Sequence, residues 1–263
     1  MERTHRDKAA AFRALHEGEA FIIPNPWDAG SAKTFAALGF KALASTSSGF
    51  AFTLGRRDGG ATLEEVVDHA RLLDRATHLP VSIDLENGYG AAPEQAATAI
   101  SRAAEAGAVG GSIEDYDPSG GIYDIEQAAE RVAAACDAAR LLDFPFLVTG
   151  RAENHIRGNP DLDDTIARLQ AYEQAGADVL YAPGLRTTEE IRLVCEATNK
   201  PVNVLARPNL SMSEIAAAGA VRISFGGALT WGASNAVIAA AERIRDDGDF
   251  SDLAGLARDV ELD

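Results

Sequence analysis

Val81-Ser-Ile-Asp84-Leu-Glu86-Asn-Gly88-Tyr-Gly90 is an apolar run that ends in two acids and then breaks on glycines. Side chains of an extended segment alternate with period two, so Asp84 and Glu86 are expected on one side and Leu85 on the other. Two carboxylates aimed together repel unless a cation lies between them. A hard divalent ion with oxygen ligands, Mg²⁺ or in its place Mn²⁺, suits such a pair. The alternative is an exposed strand end whose acids are solvated.

Other segments end in the same chemistry. Gly111-Ser-Ile-Glu114-Asp115 repeats the Ser-Ile-acid pattern, and Phe146-Leu-Val-Thr-Gly-Arg151-Ala-Glu153 places a cation after its apolar run. Polar chemistry therefore collects at strand C-termini, and in a closed parallel barrel those ends converge on one mouth.

The rest of the chain supports that geometry. Eight β-like runs are predicted: 21–24, 42–46, 81–85, 111–114, 146–151, 179–182, 202–206 and 221–225. Helical patterns fall between them at 29–38, 63–77, 93–106, 125–142, 163–175, 188–197 and 213–218, with a last helix over about 229–245 and a C-terminal helical segment continuing to about 263. Gly39, Gly107, Gly176 and Gly219 stand where a left-handed residue would close a helix before the next strand. Thr62-Leu-Glu-Glu65 and Thr187-Thr-Glu-Glu190 are capping-box signatures. No linker or low-complexity tract divides the 263 residues, so the expected fold is α/β, a single (β/α)8 TIM barrel, with an open doubly wound sheet as the alternative.

Composition narrows the function. With 46% hydrophobic but only 6% aromatic residues, the core should be aliphatic and alanine-rich, as helices packed on a parallel sheet require. Forty acids against 24 bases give a net charge of -16, which opposes nucleic acid and anionic membrane as partners. The two cysteines, Cys136 and Cys195, lie in helical patterns and form neither a CxxC nor a Cys/His cluster, so buried inert thiols are expected. No signal-length or membrane-length apolar run occurs, which points to a cytoplasmic protein. The absence of GxGxxG, Walker, HExxH and GxSxG patterns argues against dinucleotide, nucleoside-triphosphate, zinc-protease and serine-hydrolase chemistry.

Several residues could serve a site at the mouth. Ser45-Thr46-Ser47-Ser48-Gly49 reads as a hydroxyl-rich turn able to hold a carboxylate or phosphate, and Gly55-Arg-Arg-Asp58 brings an acid nearby. Thr149, Arg151 and Glu153 share a face if the strand stays extended. Arg151 then meets either a substrate carboxylate or an acid such as Glu114 or Glu153. His155 is a candidate acid or base. Asn203 and Arg222 are polar within apolar runs, and Gly226-Gly227 precedes a helix as in a phosphate-accepting turn.

In order, Trp27-Asp-Ala-Gly-Ser-Ala32, Ser45-Thr-Ser-Ser-Gly49, Gly55-Arg-Arg-Asp58, Asp84-Leu-Glu-Asn-Gly-Tyr-Gly90, Ile113-Glu-Asp115 and Gly150-Arg-Ala-Glu153 resemble the isocitrate lyase/phosphoenolpyruvate mutase superfamily, from about Pro24 to Gly227. That resemblance implies a barrel enzyme, usually tetrameric, in which Mg²⁺ binds an α-oxo or enol carboxylate. It implies Asp84 as direct metal ligand, with Asp58, Glu86 and Glu114 holding the metal's waters. Ser45, Thr46 and Ser47 would hold the substrate's carboxylate or carbonyl oxygen and Arg151 its anionic end, with Asp58, Glu114 and Arg151 as catalytic groups and Asn203 completing the substrate site.

Two departures matter. Glu86 stands where many relatives have aspartate. After Glu114-Asp115 this chain reads Tyr116-Asp-Pro-Ser-Gly-Gly-Ile-Tyr123, without the cysteine-bearing lid of isocitrate-type lyases or the lysine and asparagine of the mutases. Tyr116, Tyr123 or a water held by the acids is then left as proton donor. The expected activity is Mg²⁺-dependent carbon-carbon cleavage of a small 2-oxo or 2-hydroxy dicarboxylate, oxaloacetate decarboxylation among the options, by a homo-oligomer (dimer or tetramer). Phosphorus-carbon chemistry and a non-catalytic 2-oxo acid binder are the alternatives.

Overall fold

A computed structural model describes residues 4–253. The chain begins with α1 (His5–Leu15), β1 (Phe21–Ile23), α2 (Ala29–Ala37), β2 (Leu43–Ala44), α3 (Ser47–Thr53) and α4 (Leu63–Ala76). It continues through β3 (Val81–Asp84), α5 (Pro93–Glu105), β4 (Gly110–Glu114), the short strands β5 (Tyr116–Asp117) and β6 (Gly121–Ile122), and α6 (Ile125–Arg140). Then follow β7 (Leu147–Arg151), α7 (Leu162–Gln174), β8 (Val179–Tyr181), α8 (Thr188–Glu196), β9 (Val202–Leu205), α9 (Met212–Ala217), β10 (Arg222–Ser224) and α10 (Ala228–Asp247).

Eight strands form one parallel sheet in the order β1-β10-β9-β8-β7-β4-β3-β2. The Ala44 amide donates to the Pro24 carbonyl at 3.0 Å, carrying the hydrogen bonding from β2 back to the end of β1. The sheet is thus a nearly closed barrel, and the expected (β/α)8 fold is the one observed. Its eight strands coincide with the eight predicted runs to within a few residues. All four glycines expected to close helices have positive φ, between 84° and 106°. A side chain there would be strained, so the sequence fixes where each of those helices stops. The capping boxes at Thr62/Glu65 and Thr187/Glu190 are both formed. The last helix ends at Asp247 and a 3-10 turn, Ser251–Leu253, follows; the rest of the C-terminal segment expected to about 263 lies outside the described residues.

Sequence periodicity missed α1. Thr4 and Asp7 form a capping box at its start, and only Lys8, Ala9 and Phe12 are buried, too few apolar positions to stand out among the charges. This helix closes the N-terminal end of the barrel. Ala9 and Phe12 pack with Phe21, Ile23, Ala42, Val109, Leu147 and Val179, a core separate from the larger one between sheet and outer helices. Lys8 fixes the helix by donating to Asp74 Oδ1 at 2.7 Å and to the Thr77 carbonyl at 2.9 Å. Beneath the barrel centre, burial and the neighbouring Arg222 guanidinium push the His16 imidazole down to about 3. The ring therefore stays neutral, with Nδ1 on the Phe12 carbonyl and Nε2 facing Arg222.

Another histidine gives the fold a pH dependence. His69 of α4 stacks on Phe50 of α3, ring centroids 4.0 Å apart, and burial pushes its pKa down to about 4. Its folded pKa lies below the unfolded value near 6.5, so the unfolded chain binds the extra proton between pH 4 and 6.5. The stability His69 contributes is complete above pH 6.5 and is lost as pH falls toward 4. A His69→Phe variant should therefore lose less stability on acidification than the parent, by roughly 1 kcal/mol per pH unit between pH 6.5 and 5. Urea unfolding at several pH values measures this, and parallel profiles would contradict it.

Both cysteines are reduced, and burial raises their thiols to about 12 for Cys136 and about 11 for Cys195. Neither supplies a thiolate at neutral pH. Among the described residues no helix is long and apolar enough to cross a membrane.

Candidate active site

Strand register brings the polar residues together at the C-terminal mouth. Asp84 of β3 lies opposite Ser112 of β4, which lies opposite Thr149 of β7. Two residues further on, Glu114, Arg151, Tyr181, Asn203 and Arg222 follow one another across β4, β7, β8, β9 and β10. A small cavity of about 60 Å³ opens among Ser45, Asp84, Ser112, Arg151, Tyr181 and Asn203.

Asp84 is gripped from several sides. Its amide donates to Ser45 Oγ at 2.8 Å, its Oδ2 accepts the Ser47 amide at 3.3 Å and its Oδ1 accepts the Glu86 amide at 3.2 Å. The segment expected to be a hydroxyl-rich turn is in fact the start of α3: Thr46 is its N-cap and accepts the Gly49 amide, and Ser47 is its first residue. Ser47 also hydrogen-bonds the Asp58 carboxylate through its side chain. Ser45 and Ser47 thus orient acids in this structure, while the Thr46 hydroxyl meets Ser48 at 3.2 Å.

Strand alternation, expected to bring Asp84 and Glu86 to one side, does not place Glu86. β3 ends at Asp84, and Glu86 has φ 48°, so the two do not share a strand face. Glu86 reaches the same site through a tight turn instead. Arg131 of α6, buried, holds that turn by donating to the carbonyls of Asn87, Gly90 and Ala92.

Thr149, Arg151 and Glu153 do not all lie on one extended face either, since β7 ends at Arg151. Glu153 nevertheless accepts from Arg151 Nε at 2.6 Å. The Arg151 guanidinium also stands 3.5 Å from Asp84 and 3.4 Å from Glu114, over the Tyr181 ring. Burial opposes its charge, but Glu114, Glu153 and Asp84 outweigh burial and keep it protonated.

Arg151, with Arg157 beyond it on Glu153, cannot balance this many acids. Burial, then Asp84 and Asp58, push the Glu86 carboxyl up to about 8. Burial and Asp84 raise Asp58, and burial raises Glu114 well above the usual carboxylate range. Glu86 Oε1 is buried with no hydrogen-bond partner. Crowded acids whose carboxyls are pushed up, with one orphaned oxygen among them, mark a place short of positive charge, and a hard divalent cation suits it. Among the described residues no three His, Cys, Asp or Glu side chains are gathered as metal ligands. Mg²⁺ does not need three, because it keeps most of its waters and takes one or two carboxylates. The donor set therefore fits direct contact through Asp84 with water-mediated contact to the other acids.

Asn203 lies on the cavity floor with its amide already engaged: Oδ1 accepts Arg222 Nε at 2.9 Å and Nδ2 donates to Ser224 at 3.0 Å. His155 is placed outside the mouth, in a separate hollow with Arg186 and Glu190. Gly226 serves the loop before α10, its amide donating to Asn25 Oδ1 at 2.9 Å.

The segment after Glu114 forms the hairpin β5/β6, whose tip approaches the acid-bearing loop: a Cβ on Gly59 would lie 3.8 Å from Pro118 Cγ and 3.9 Å from Glu86 Oε2. Tyr123 braces this lid. Its hydroxyl meets Asn87 at 3.2 Å and Asp117 at 3.4 Å, and its ring lies under Arg131. Tyr116 carries the Arg157 guanidinium 3.8 Å above its ring. Sequence reasoning passed over Ser112, Tyr181 and Arg157. The first two lie at or near strand C-termini, the signal that found Asp84; Arg157 gave no signal, because a 3-10 turn at Asn154–Ile156 delivers it.

The barrel mouth gathers Asp58, Asp84, Glu86 and Glu114 about Arg151. The family model for phosphoenolpyruvate phosphomutase matches residues 12–245. The chain belongs to the phosphoenolpyruvate phosphomutase family. An oxaloacetate decarboxylase of Rhodopseudomonas palustris (strain HaA2) is 32% identical over 96% of this chain and 90% of its own. A crystal structure from Burkholderia cenocepacia J2315, provisionally described as a lyase/mutase, is 50% identical with a TM-score of 0.95, covering 98% of this chain and 95% of that one. An oxaloacetate acetylhydrolase bound to its product oxalate is 26% identical with a TM-score of 0.86, covering 97% and 92%. Lyases and mutases of the isocitrate lyase/phosphoenolpyruvate mutase superfamily are thus the proteins this phosphomutase-family chain is similar to.

Proposed function

We propose that this chain is a Mg²⁺-dependent carbon-carbon lyase acting on a small 2-oxo or 2-hydroxy dicarboxylate, with decarboxylation of an oxaloacetate-like acid as the leading reaction. The observation that carries the reading is the surplus of buried carboxylate at the mouth, Asp58, Asp84, Glu86 and Glu114 around Arg151. Similarity to oxaloacetate decarboxylase over nearly the whole chain supports the substrate class.

Asp84 would hold the ion directly and Asp58, Glu86 and Glu114 through water; when bound, the ion stabilises negative charge on the substrate's C2 oxygen. Ser45, Thr46 and Ser47 would line the substrate's carboxylate and carbonyl side, and Arg151 would face its anionic end. Cleaving the C3–C4 bond sends its electron pair toward the C2 carbonyl and releases CO₂. C3 then takes a proton, for which the Tyr116 hydroxyl or a water held by the acids is available. The hairpin over the mouth would limit access of bulk water to the carbanionic carbon. The cavity's small volume favours a short acid over a bulky one.

A product screen tests this. With Mg²⁺ and a panel of 2-oxo and 2-hydroxy acids, pyruvate should appear from at least one dicarboxylate, and EDTA should abolish it. Oxalate plus acetate would indicate hydrolytic cleavage, phosphate or phosphonate rearrangement would indicate phosphorus-carbon chemistry, and no turnover of any acid would leave a binder. Leu229, Trp231, Val237 and Ile238 are apolar and exposed on α10, which supports assembly as a homo-oligomer.

A further inference from the structure

Beside Arg151 stands a second guanidinium with a different set of partners. Glu153 is completely buried, and its two oxygens are divided between two arginines: Oε1 takes Arg151 Nε at 2.6 Å and Oε2 takes Arg157 Nε at 2.9 Å. The backbone holds Glu153 in place, because its amide donates to Asp115 Oδ1 at 2.7 Å. One fixed carboxylate thus sets the spacing of two cations.

Their electrostatic states differ. Arg151 faces Asp84, Glu114 and Glu153, so its charge is already oversubscribed. Among the described residues Arg157 has Glu153 as its one ion-pair partner and uses only its Nε for it, which leaves the terminal N–H groups for another acceptor. It is a third exposed, and its flat face rests on Tyr116 of the lid hairpin. Its charge also acts on Asp58, which places it on the acid-bearing side of the mouth. A planar fork held by a ring on one side and a carboxylate at its root is pre-organised for a carboxylate arriving from the mouth.

We infer that Arg157 receives the distal carboxylate of a two-carboxylate substrate, and so selects dicarboxylates over monocarboxylates at this site. The inference rests on the lyase reading above and deepens it. The end of the substrate that bears the 2-oxo group lies toward Asp84, and the far carboxylate, facing Arg151, lies toward the lid, where Arg157 adds terminal N–H groups that no hydrogen bond fills among the described residues. Because Arg157 stacks on Tyr116, a bound distal carboxylate also ties the hairpin down over the mouth.

The test is calorimetric, on the full chain with saturating Mg²⁺, using two probes. Oxalate carries the two-oxygen head of the substrate and lacks a distal carboxylate; 3,3-difluorooxaloacetate carries both ends. Arg157→Met should weaken the difluoro compound by about tenfold to a hundredfold, the worth of a charge-assisted pair, and leave oxalate within about twofold. Arg157→Lys should recover part of the loss, since it keeps the charge without the fork. In turnover, KM for the dicarboxylate should rise more than kcat falls, a split that a merely structural role would not produce. Equal weakening of both probes, or of neither, overturns the assignment while leaving the lyase reading standing. Failure of the parent protein to bind oxalate with Mg²⁺ overturns both.

Discussion

An Asp84→Ala variant is expected to lose divalent-metal-dependent turnover by about three orders of magnitude or more while keeping its fold. Asp84 is the acid that β3 itself delivers to the mouth, and its position is fixed by the Ser45 hydroxyl and by the amides of Ser47 and Glu86. The other acids of the cluster come from loops or meet Arg151 first, so none can take over its place without moving backbone. Stability should not fall in parallel. Removing one of four crowded carboxylates relieves the repulsion that raises Glu86 and Asp58, and Arg151 keeps Glu114 and Glu153. Unchanged or slightly higher unfolding free energy beside lost activity is the pattern of a site held together under electrostatic strain. Steady-state rates with and without Mg²⁺, paired with urea unfolding, measure both halves. A fully active variant would refute the metal role.

Asp115→Ala should show the opposite pattern, a large loss of stability. Asp115 follows Glu114 in sequence but turns away from the mouth into the layer between sheet and α7. It accepts from Tyr172 at 2.5 Å, Arg168 at 3.0 Å and the Glu153 amide at 2.7 Å. Burial raises its carboxyl, and those donors oppose the rise. Removing it would leave a buried phenol and a buried amide without their acceptor and take one of two carboxylates from Arg168, which keeps Asp164 and the Tyr123 carbonyl; the loss is about 2–4 kcal/mol. For a chain of this length that corresponds to a fall in Tm of roughly 10 °C. Chemical and thermal unfolding check it; a loss under about 1 kcal/mol would contradict the role of Asp115 as the brace of Glu153. Two neighbouring acids thus divide their work, one facing the chemistry and one the framework.

That division was partly legible in the sequence. The eight strands were, because each is a short apolar run bounded by turn residues, and so were the helix stops, because Gly39, Gly107, Gly176 and Gly219 each mark a left-handed residue. The convergence of Asp84, Glu114 and Arg151 followed from barrel topology alone, since all three end strands. What failed was local geometry beyond the strand ends. Glu86 was placed by extrapolating the alternation of β3 two residues too far, into a turn that adopts a left-handed conformation at Glu86 itself. Ser45 to Ser48 looked like a turn because hydroxyls favour turns and helix N-termini alike, and here Thr46 chooses the second. Helix α1 escaped because three buried positions in eleven residues give little periodic signal. Arg157 escaped because its place depends on a 3-10 turn and on Glu153, neither of which leaves a pattern in the chain.

The central claim is that the acids at the barrel mouth hold a divalent cation on which a 2-oxo acid is seated. Crystals grown with Mn²⁺ and oxalate, with diffraction collected for anomalous scattering, address it directly. The account predicts a manganese peak within direct ligand distance of Asp84, oxalate on its open side, and waters linking the ion to Asp58, Glu86 and Glu114. Manganese absent from Asp84, with oxalate seated on Arg151 alone, would contradict it.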